Sequence, residues 1–255
     1  MRPNLTKRLL AAGKPALGLF CTTASALIAE SLGQAGYDFV IVDLQHGEND
    51  LGNLQHMLQA LSSTPATPVV RMPANMPVYI QRALDLGAYG IVVPLVNTRA
   101  EAEAVVQSVR YAPAGARSFG PIRGMLYAGA DYFAKAADEL LTLPMLETAE
   151  AAANAEAILA TPGIDGAFIG PNDLAITLGH SLGVPETAEM PKPVEAAIQG
   201  ILQAARRTGK AAGIAAFDLA SAQTRLAQGF TFVAVMSDIR MVRVTAAQTL
   251  KALRG

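Results

Sequence analysis

Among 255 residues the chain has one cysteine, three histidines, six lysines and no tryptophan, and only 16% of it is charged. Most of these scarcities close off a chemistry. Cys21 alone cannot form an internal disulfide. One thiol with His46, His56 and His180 is a poor basis for a thiolate or all-histidine zinc site, so any metal must be held mainly by carboxylates. Twenty Lys+Arg against twenty-one Asp+Glu give a net charge of -1, which excludes a basic nucleic-acid-binding surface, and 51% hydrophobic residues exclude disorder. No stretch reaches the roughly 18 to 20 apolar residues of a membrane span, and the N-terminal MRPNLTKRLLAAGKP lacks the apolar run of a secretory signal. The expectation is a soluble, cytoplasmic protein with neither a membrane nor a nucleic-acid partner. A mean hydropathy of +0.30 with so few charges leaves too little polar cover for a monomer, which predicts a homo-oligomer.

What the chain does have is alternation. Short apolar runs of strand type lie at 16–20, 39–44, 68–72, 90–96, 141–147, 166–170, 211–216 and 230–236, separated by longer helical patterns that often end in Gly. Eight βα units in about 250 residues predict an α/β fold of the (β/α)8 TIM-barrel type, one domain spanning 1–255. A doubly wound open sheet would carry a Gly-rich fingerprint after its first strand, and CTTASA is not one. Two connections, 111–138 and 171–193, are longer than a barrel needs and rich in Gly and Pro, which suggests a lid and a subunit contact.

A barrel assembles its site at the C-terminal ends of its strands, so the polar residues there are the candidates. Strand two ends in Asp43 and runs on to His46; strand three ends in Arg71; strand five ends in Glu147; strand six opens into Gly170-Pro171-Asn172-Asp173. Glu147 closes an apolar strand and needs a cation or strong donors. With Asp173 from the next strand it suits a hard divalent ion, Mg2+ or Mn2+, or the two are a salt-bridge partner and a helix N-cap. Arg71 offers a fork of donors to a carboxylate or an enolate oxygen, or else forms a structural ion pair with Asp43 or Asp85. His46 suits proton transfer, and Asp85 is a candidate to orient its imidazole. The amides opening the helix at Gly170, Pro171, Asn172 and Asp173 suit a substrate carboxylate, and Phe217 is a candidate wall of the acceptor pocket together with 111–138, where Arg117 and Arg123 can meet an acidic aldehyde. His56 reads as a packed or surface residue. Lys7, Lys14, Lys135, Lys192, Lys210 and Lys251 all avoid the strands and their C-terminal ends, which argues against a Schiff-base mechanism. No GxSxG or GxxxxGK[ST] motif supports a serine hydrolase or a P-loop enzyme.

In order along the chain, Asp43-Leu-Gln-His46, Val70-Arg71-Met-Pro73, Gly90-Ile-Val-Val-Pro94, Met145-Leu-Glu147-Thr148 and Gly170-Pro171-Asn172-Asp173-Leu174 resemble the HpcH/HpaI aldolase family, the metal-dependent class II pyruvate aldolases. The resemblance implies a barrel that cleaves a 4-hydroxy-2-oxo acid to pyruvate, or an analogue such as hydroxypyruvate, and an aldehyde. It implies a divalent metal on Glu147 and Asp173 (Mg2+ or Mn2+, with Co2+, Ni2+ or Zn2+ as further candidates), Arg71 on the pyruvyl oxygen, and His46 with Asp85 in proton transfer. Asp43 would sit near the aldehyde or hold a metal-bound water. It also implies a hexamer, a trimer of dimers that exchange the C-terminal helix at about 238–255. The chain departs from the family pattern at Gln45, Ser118, Met145 and Asn172, and Met145 has no amide to offer substrate. Two other readings stand beside the aldolase: a lyase of CoA thioesters, for which Arg206-Arg207 is the one dense basic pair, and a non-catalytic binding barrel.

Overall fold

A computed structural model describes residues 1–181 and 190–254. The eight expected strands all form: β1 (Ala16–Cys21), β2 (Phe39–Asp43), β3 (Thr67–Arg71), β4 (Gly90–Val93), β5 (Leu141–Pro144), β6 (Gly166–Ile169), β7 (Ala211–Ala216) and β8 (Phe232–Ser237). They pair in parallel in the order β5-β4-β3-β2-β1-β8-β7-β6. The remaining seam, β5 to β6, is held by a bridge between Met145 and Phe168 and by the Leu146 N–H donating to the Phe168 carbonyl at 2.8 Å. The sheet is therefore a nearly closed (β/α)8 barrel.

Two strands stop earlier than the apolar pattern suggests. Pro94 and Pro144 have no N–H to continue a ladder, so the expected strand over 90–96 ends at Val93 and that over 141–147 at Pro144. Glu147 consequently does not close β5; it lies three residues beyond it, in the connection to the next helix.

The barrel interior is filled by side chains. Phe39 stacks on Phe232 at a centroid distance of 3.8 Å, and Phe168 meets both Phe232 and Phe20 edge-on. Space for this comes from Gly18, where a Cβ would lie 2.3 Å from the Phe39 ring. With the lower barrel packed, the ligand space inside the barrel lies at its C-terminal mouth.

Outside the strands run α1 (Leu5–Ala11), α2 (Ala26–Gln34), α3 (Leu54–Leu61), α4 (Pro77–Asp85), α5 (Arg99–Val109), α6 (Ile122–Ala128) and α7 (Tyr132–Glu139). They continue with α8 (Ala149–Ala153), α9 (Ala155–Leu159), α10 (Pro171–Thr177), α11 (Lys192–Thr208), α12 (Leu219–Gln228) and α13 (Asp238–Arg254). α1 precedes the first strand, and the helical segment between β5 and β6 is divided at Asn154 into α8 and α9. The connection 111–138 is not loop throughout, since α6 and α7 lie in it; part of the connection 171–193 falls outside the described residues. No helix of the described residues is long and apolar enough to cross a membrane.

Candidate active site

The mouth of the barrel holds a cavity of about 340 Å3, and most of the residues expected at the site line it: Asp43, His46, Arg71, Gly170 to Asp173, and Phe217. Their convergence follows from strand register. Asp43 and Arg71 are paired residues at the ends of neighbouring parallel strands. They form a forked ion pair, Arg71 Nε to Asp43 Oδ1 at 2.8 Å and Arg71 Nη2 to Oδ2 at 2.6 Å. Asp43 is fully buried, and its Oδ1 also accepts the backbone N–H groups of Gln45 and His46. Of the five guanidinium N–H donors of Arg71, two serve Asp43 and three remain for a ligand. The Phe20 ring, 4.6 Å below the guanidinium, flattens it against the cavity wall. Both carboxylate oxygens of Asp43 are thus engaged by Arg71, which fits a residue that positions the arginine.

Glu147 is 1% exposed. Its Oε1 accepts the N–H of Leu95 at 2.9 Å, an amide aimed inward because Leu95 adopts a left-handed backbone (φ 54). Its Oε2 is buried with no hydrogen-bond partner. Gly170 leaves room for that oxygen, since a Cβ there would lie 2.7 Å from it. Burial pushes the Glu147 carboxyl up to about 7; the Leu95 amide and the Arg71 charge oppose this rise, while the Asp173 charge adds to it. A buried carboxylate oxygen with no donor, beside a second carboxylate, is a place for a cation.

Asp173 is not the N-cap of α10. Gly170 holds that position without a side-chain cap, and Asp173, three residues on, faces the cavity. The donor set of one buried and one half-buried carboxylate fits a divalent ion whose other positions are filled by water and substrate oxygens, and among the described residues no cluster of three or more His, Cys, Asp or Glu offers a closed protein cage. Pro171 has no N–H, so the expected cradle of amides at this helix start narrows to Asn172 and Asp173. Met145 places an apolar thioether in the cavity where the family pattern has an amide.

Three expectations are not met within the chain. Asp85 does not reach His46: its carboxylate takes the Arg117 guanidinium at 2.7 Å, and Arg117 also donates to the Tyr132 hydroxyl. The His46 imidazole is exposed and has no hydrogen-bond partner among the described residues. The segment 111–138 contributes nothing to the cavity. Arg117 is buried under Tyr111 and Tyr132, and Arg123 is spent on the Leu58 and Leu86 carbonyls and the Ser62 hydroxyl. Arg206 donates to the Gln228 carbonyl and Arg207 pairs with Glu156 at the surface, and neither lines the cavity at the barrel mouth.

The sequence reading missed the β1 and β8 side of the mouth. Phe20 and Thr22 line it, as do Met236, Ser237, Ile239, Arg240 and Arg243. These residues follow strand ends, the same signal that marks Arg71, but the DIRMVRV pattern by itself reads as the start of a terminal helix. No lysine lines the cavity; Lys7 and Lys210 donate to the Leu140 and Ile164 carbonyls at the opposite end of the barrel. This agrees with the argument against a Schiff base.

The comparisons with known proteins converge on one group. The family model described as HpcH/HpaI aldolase/citrate lyase matches residues 16–244. A hydroxypyruvate/pyruvate aldolase of Rhizorhabdus wittichii is 42% identical over 244 residues, 95% of this chain and 96% of that protein. A 5-keto-4-deoxy-D-glucarate aldolase of Shigella dysenteriae serotype 1 is 42% identical over 94% of this chain and 93% of its own length. The crystal structure of an HpcH/HpaI aldolase/citrate lyase family protein from Burkholderia cenocepacia superposes with a TM-score of 0.90 at 32% identity, covering 100% of both chains. With family model, relatives and barrel in agreement over nearly its whole length, the chain belongs to the HpcH/HpaI aldolase/citrate lyase family and is a carbon–carbon lyase of the aldolase type.

Proposed function

We propose that this enzyme cleaves a 4-hydroxy-2-oxo acid, reversibly, to pyruvate or hydroxypyruvate and an aldehyde, and that it does so with a divalent metal held by Glu147 and Asp173. The observation that supports the metal is the buried, unpartnered Oε2 of Glu147, which does not itself line the cavity but feels the charge of Asp173, which does. A bound Mg2+ or Mn2+ supplies Lewis-acid polarisation of the 2-oxo acid. The three free N–H donors of Arg71 bind the substrate's keto oxygen and stabilise the charge that gathers on it as the C3–C4 bond breaks. Asp43 holds that fork in place. His46, exposed at the rim, moves the proton to and from the aldehyde end. The amides of Asn172 and Asp173 receive the substrate carboxylate, and Phe217 walls the acceptor side. The names of the two aldolase relatives support pyruvate or hydroxypyruvate as the donor half.

The test is proton exchange at C3 of pyruvate in D2O. With Mg2+ or Mn2+ the methyl signal should wash out, and EDTA should stop the loss. Absence of exchange with every divalent ion tried would overturn the reading.

The same reading extends to assembly in the cytoplasm as a homo-oligomer, a hexamer built from dimers that exchange α13. Supporting this, most of α13 stands off the barrel with Val242, Leu250 and Leu253 at 59%, 47% and 81% exposure, and Ile122 and Leu126 on α6 are 80% and 83% exposed. Apolar surface on this scale needs cover. Light scattering should return a mass six times the 26.6 kDa of the chain, and deletion of the last turns of α13 should reduce it. A monomeric mass for the full chain would overturn this.

A further inference from the structure

The turn that carries His46 stands on two footings. The first is β2 itself, whose last residue, Asp43, accepts the N–H groups of Gln45 and His46 on Oδ1 at 3.0 and 3.4 Å. The second is the chain just beyond β1. The Glu48 N–H donates to the Thr22 carbonyl at 2.7 Å, and the side-chain amide of the buried Asn49 donates to the Cys21 carbonyl at 3.1 Å. Gly47 lies in the gap between the footings: a Cβ there would come within 2.6 Å of the Asp43 carbonyl oxygen and 2.7 Å of that of Thr22. The His46 imidazole is exposed at the rim and has no hydrogen-bond partner among the described residues, so within the chain its placement is set through this backbone.

The second footing needs support of its own, because Thr22 and Thr23 lie past the strand ladders. β1 pairs with β2 as far as Cys21 and with β8 as far as Phe20. The support comes from the far end of the sequence. α13 follows β8 without a loop, and Met236, near the end of that strand, adopts a left-handed backbone (φ 61) as the chain turns. Asp238, the first residue of α13 and 4% exposed, then accepts the backbone N–H and the hydroxyl of Thr22 at 2.9 and 2.5 Å, and those of Thr23 at 3.0 and 2.6 Å. These donors hold its carboxyl below the ordinary range against the burial that would raise it. The route from Asp238 to His46 is therefore short: carboxylate to Thr22, Thr22 carbonyl to the Glu48 amide, and back two residues along the turn.

We propose that Asp238 is a positioning residue of the reaction: by gripping Thr22 it fixes the carbonyl on which the His46 turn stands, and so holds the imidazole at the place where it moves the proton. The inference rests on the aldolase reading and on the part given there to His46. Asp238 itself does not line the cavity; it acts through Thr22, which does.

The experiment is a double-mutant cycle read on kcat for cleavage of a 4-hydroxy-2-oxo acid, with the Mn2+-induced rise in melting temperature as a second readout. Asp238→Ala should lower kcat by about tenfold or more, as displacement of a proton-transfer group does. Its apparent Mn2+ affinity should stay within about twofold of wild type, because Glu147 and Asp173 follow β5 and β6, across the barrel from β1. In a His46→Gln background the same substitution should cost less than about twofold, since a group already removed cannot be misplaced. Thr22→Val deletes one hydroxyl donor and keeps the amide, so it should show the same pattern with a smaller loss, and it remains readable if Asp238→Ala does not fold. Losses that multiply in the double variant would place the effect of Asp238 elsewhere and overturn the proposal. So would wild-type kcat in both Asp238→Ala and Thr22→Val, or in His46→Gln. Failure of the aldolase reading itself is seen separately, as absence of pyruvate C3 exchange in the wild type.

Discussion

Arg71→Ala is expected to lower kcat/KM for 2-oxo acid cleavage by about 10^3-fold, because it removes the donors aimed at the oxygen that gains charge. The same change should also destabilise the fold. Asp43 is fully buried and Arg71 is 12% exposed at its side chain, so the variant strands a carboxylate out of water with only two backbone amides for company. Breaking a buried pair costs about 3 to 5 kcal/mol, and the partly open mouth puts this one near the lower end. In a chain of this size the melting temperature should fall by roughly 6 to 12 °C. These effects are separable. The double variant Asp43→Asn/Arg71→Met removes the orphaned charge and should regain most of the lost melting temperature without regaining activity. If Arg71→Ala alone stays within about threefold of wild-type kcat/KM, the arginine is a structural partner of Asp43 and nothing more.

How much of this was legible in the sequence depended on whether a feature is written in backbone chemistry or in contacts at a distance. The eight strands were legible because each is a short apolar run between helical patterns, a purely local signal. Their ends were less so, and proline explains two of the misses: Pro94 and Pro144 sit inside apolar runs but cannot donate to a ladder. Arg71, His46 and the Gly170–Asp173 turn were found because strand ends in a barrel face one rim. The partner choices of Asp85 and Arg117 were not legible. They follow from how α4 packs against the segment carrying α6 and α7, and no spacing rule in the sequence encodes that. The arginines of α13 were hidden for a different reason. DIRMVRV has a helical pattern, and nothing in it tells that Asp238 is clamped by Thr22 and Thr23, some 215 residues away, so that the helix starts at the cavity wall.

Glu147→Gln should abolish divalent-metal stabilisation while making the metal-free protein more stable at alkaline pH, and this opposite response is the sharpest test of the metal site. Burial raises the folded-state value of Glu147 from 4.5 to about 7, whereas in the unfolded chain it titrates near 4.5. Between those values the folded protein holds the proton more tightly. The stabilisation from the neutral acid is complete below about 4.5 and is lost as pH rises through about 7, where ionising a buried oxygen with no donor costs the fold on the order of 3 kcal/mol. In EDTA, therefore, wild-type stability should decline from pH 5 to 8 along this window, and Glu147→Gln should flatten the decline. With Mn2+ at pH 8 the sign reverses. A cation needs the ionised carboxylate, so the wild type should gain melting temperature with metal concentration as mass action requires, and the glutamine variant should not. Asp173→Asn supplies the second arm: it should weaken the metal response while leaving most of the pH slope, since burial, not the Asp173 charge, is the larger cause of the rise at Glu147. An equal metal-induced rise in wild type and Glu147→Gln would show that the ion binds elsewhere, and the unpartnered oxygen beside Gly170 would then need a different occupant.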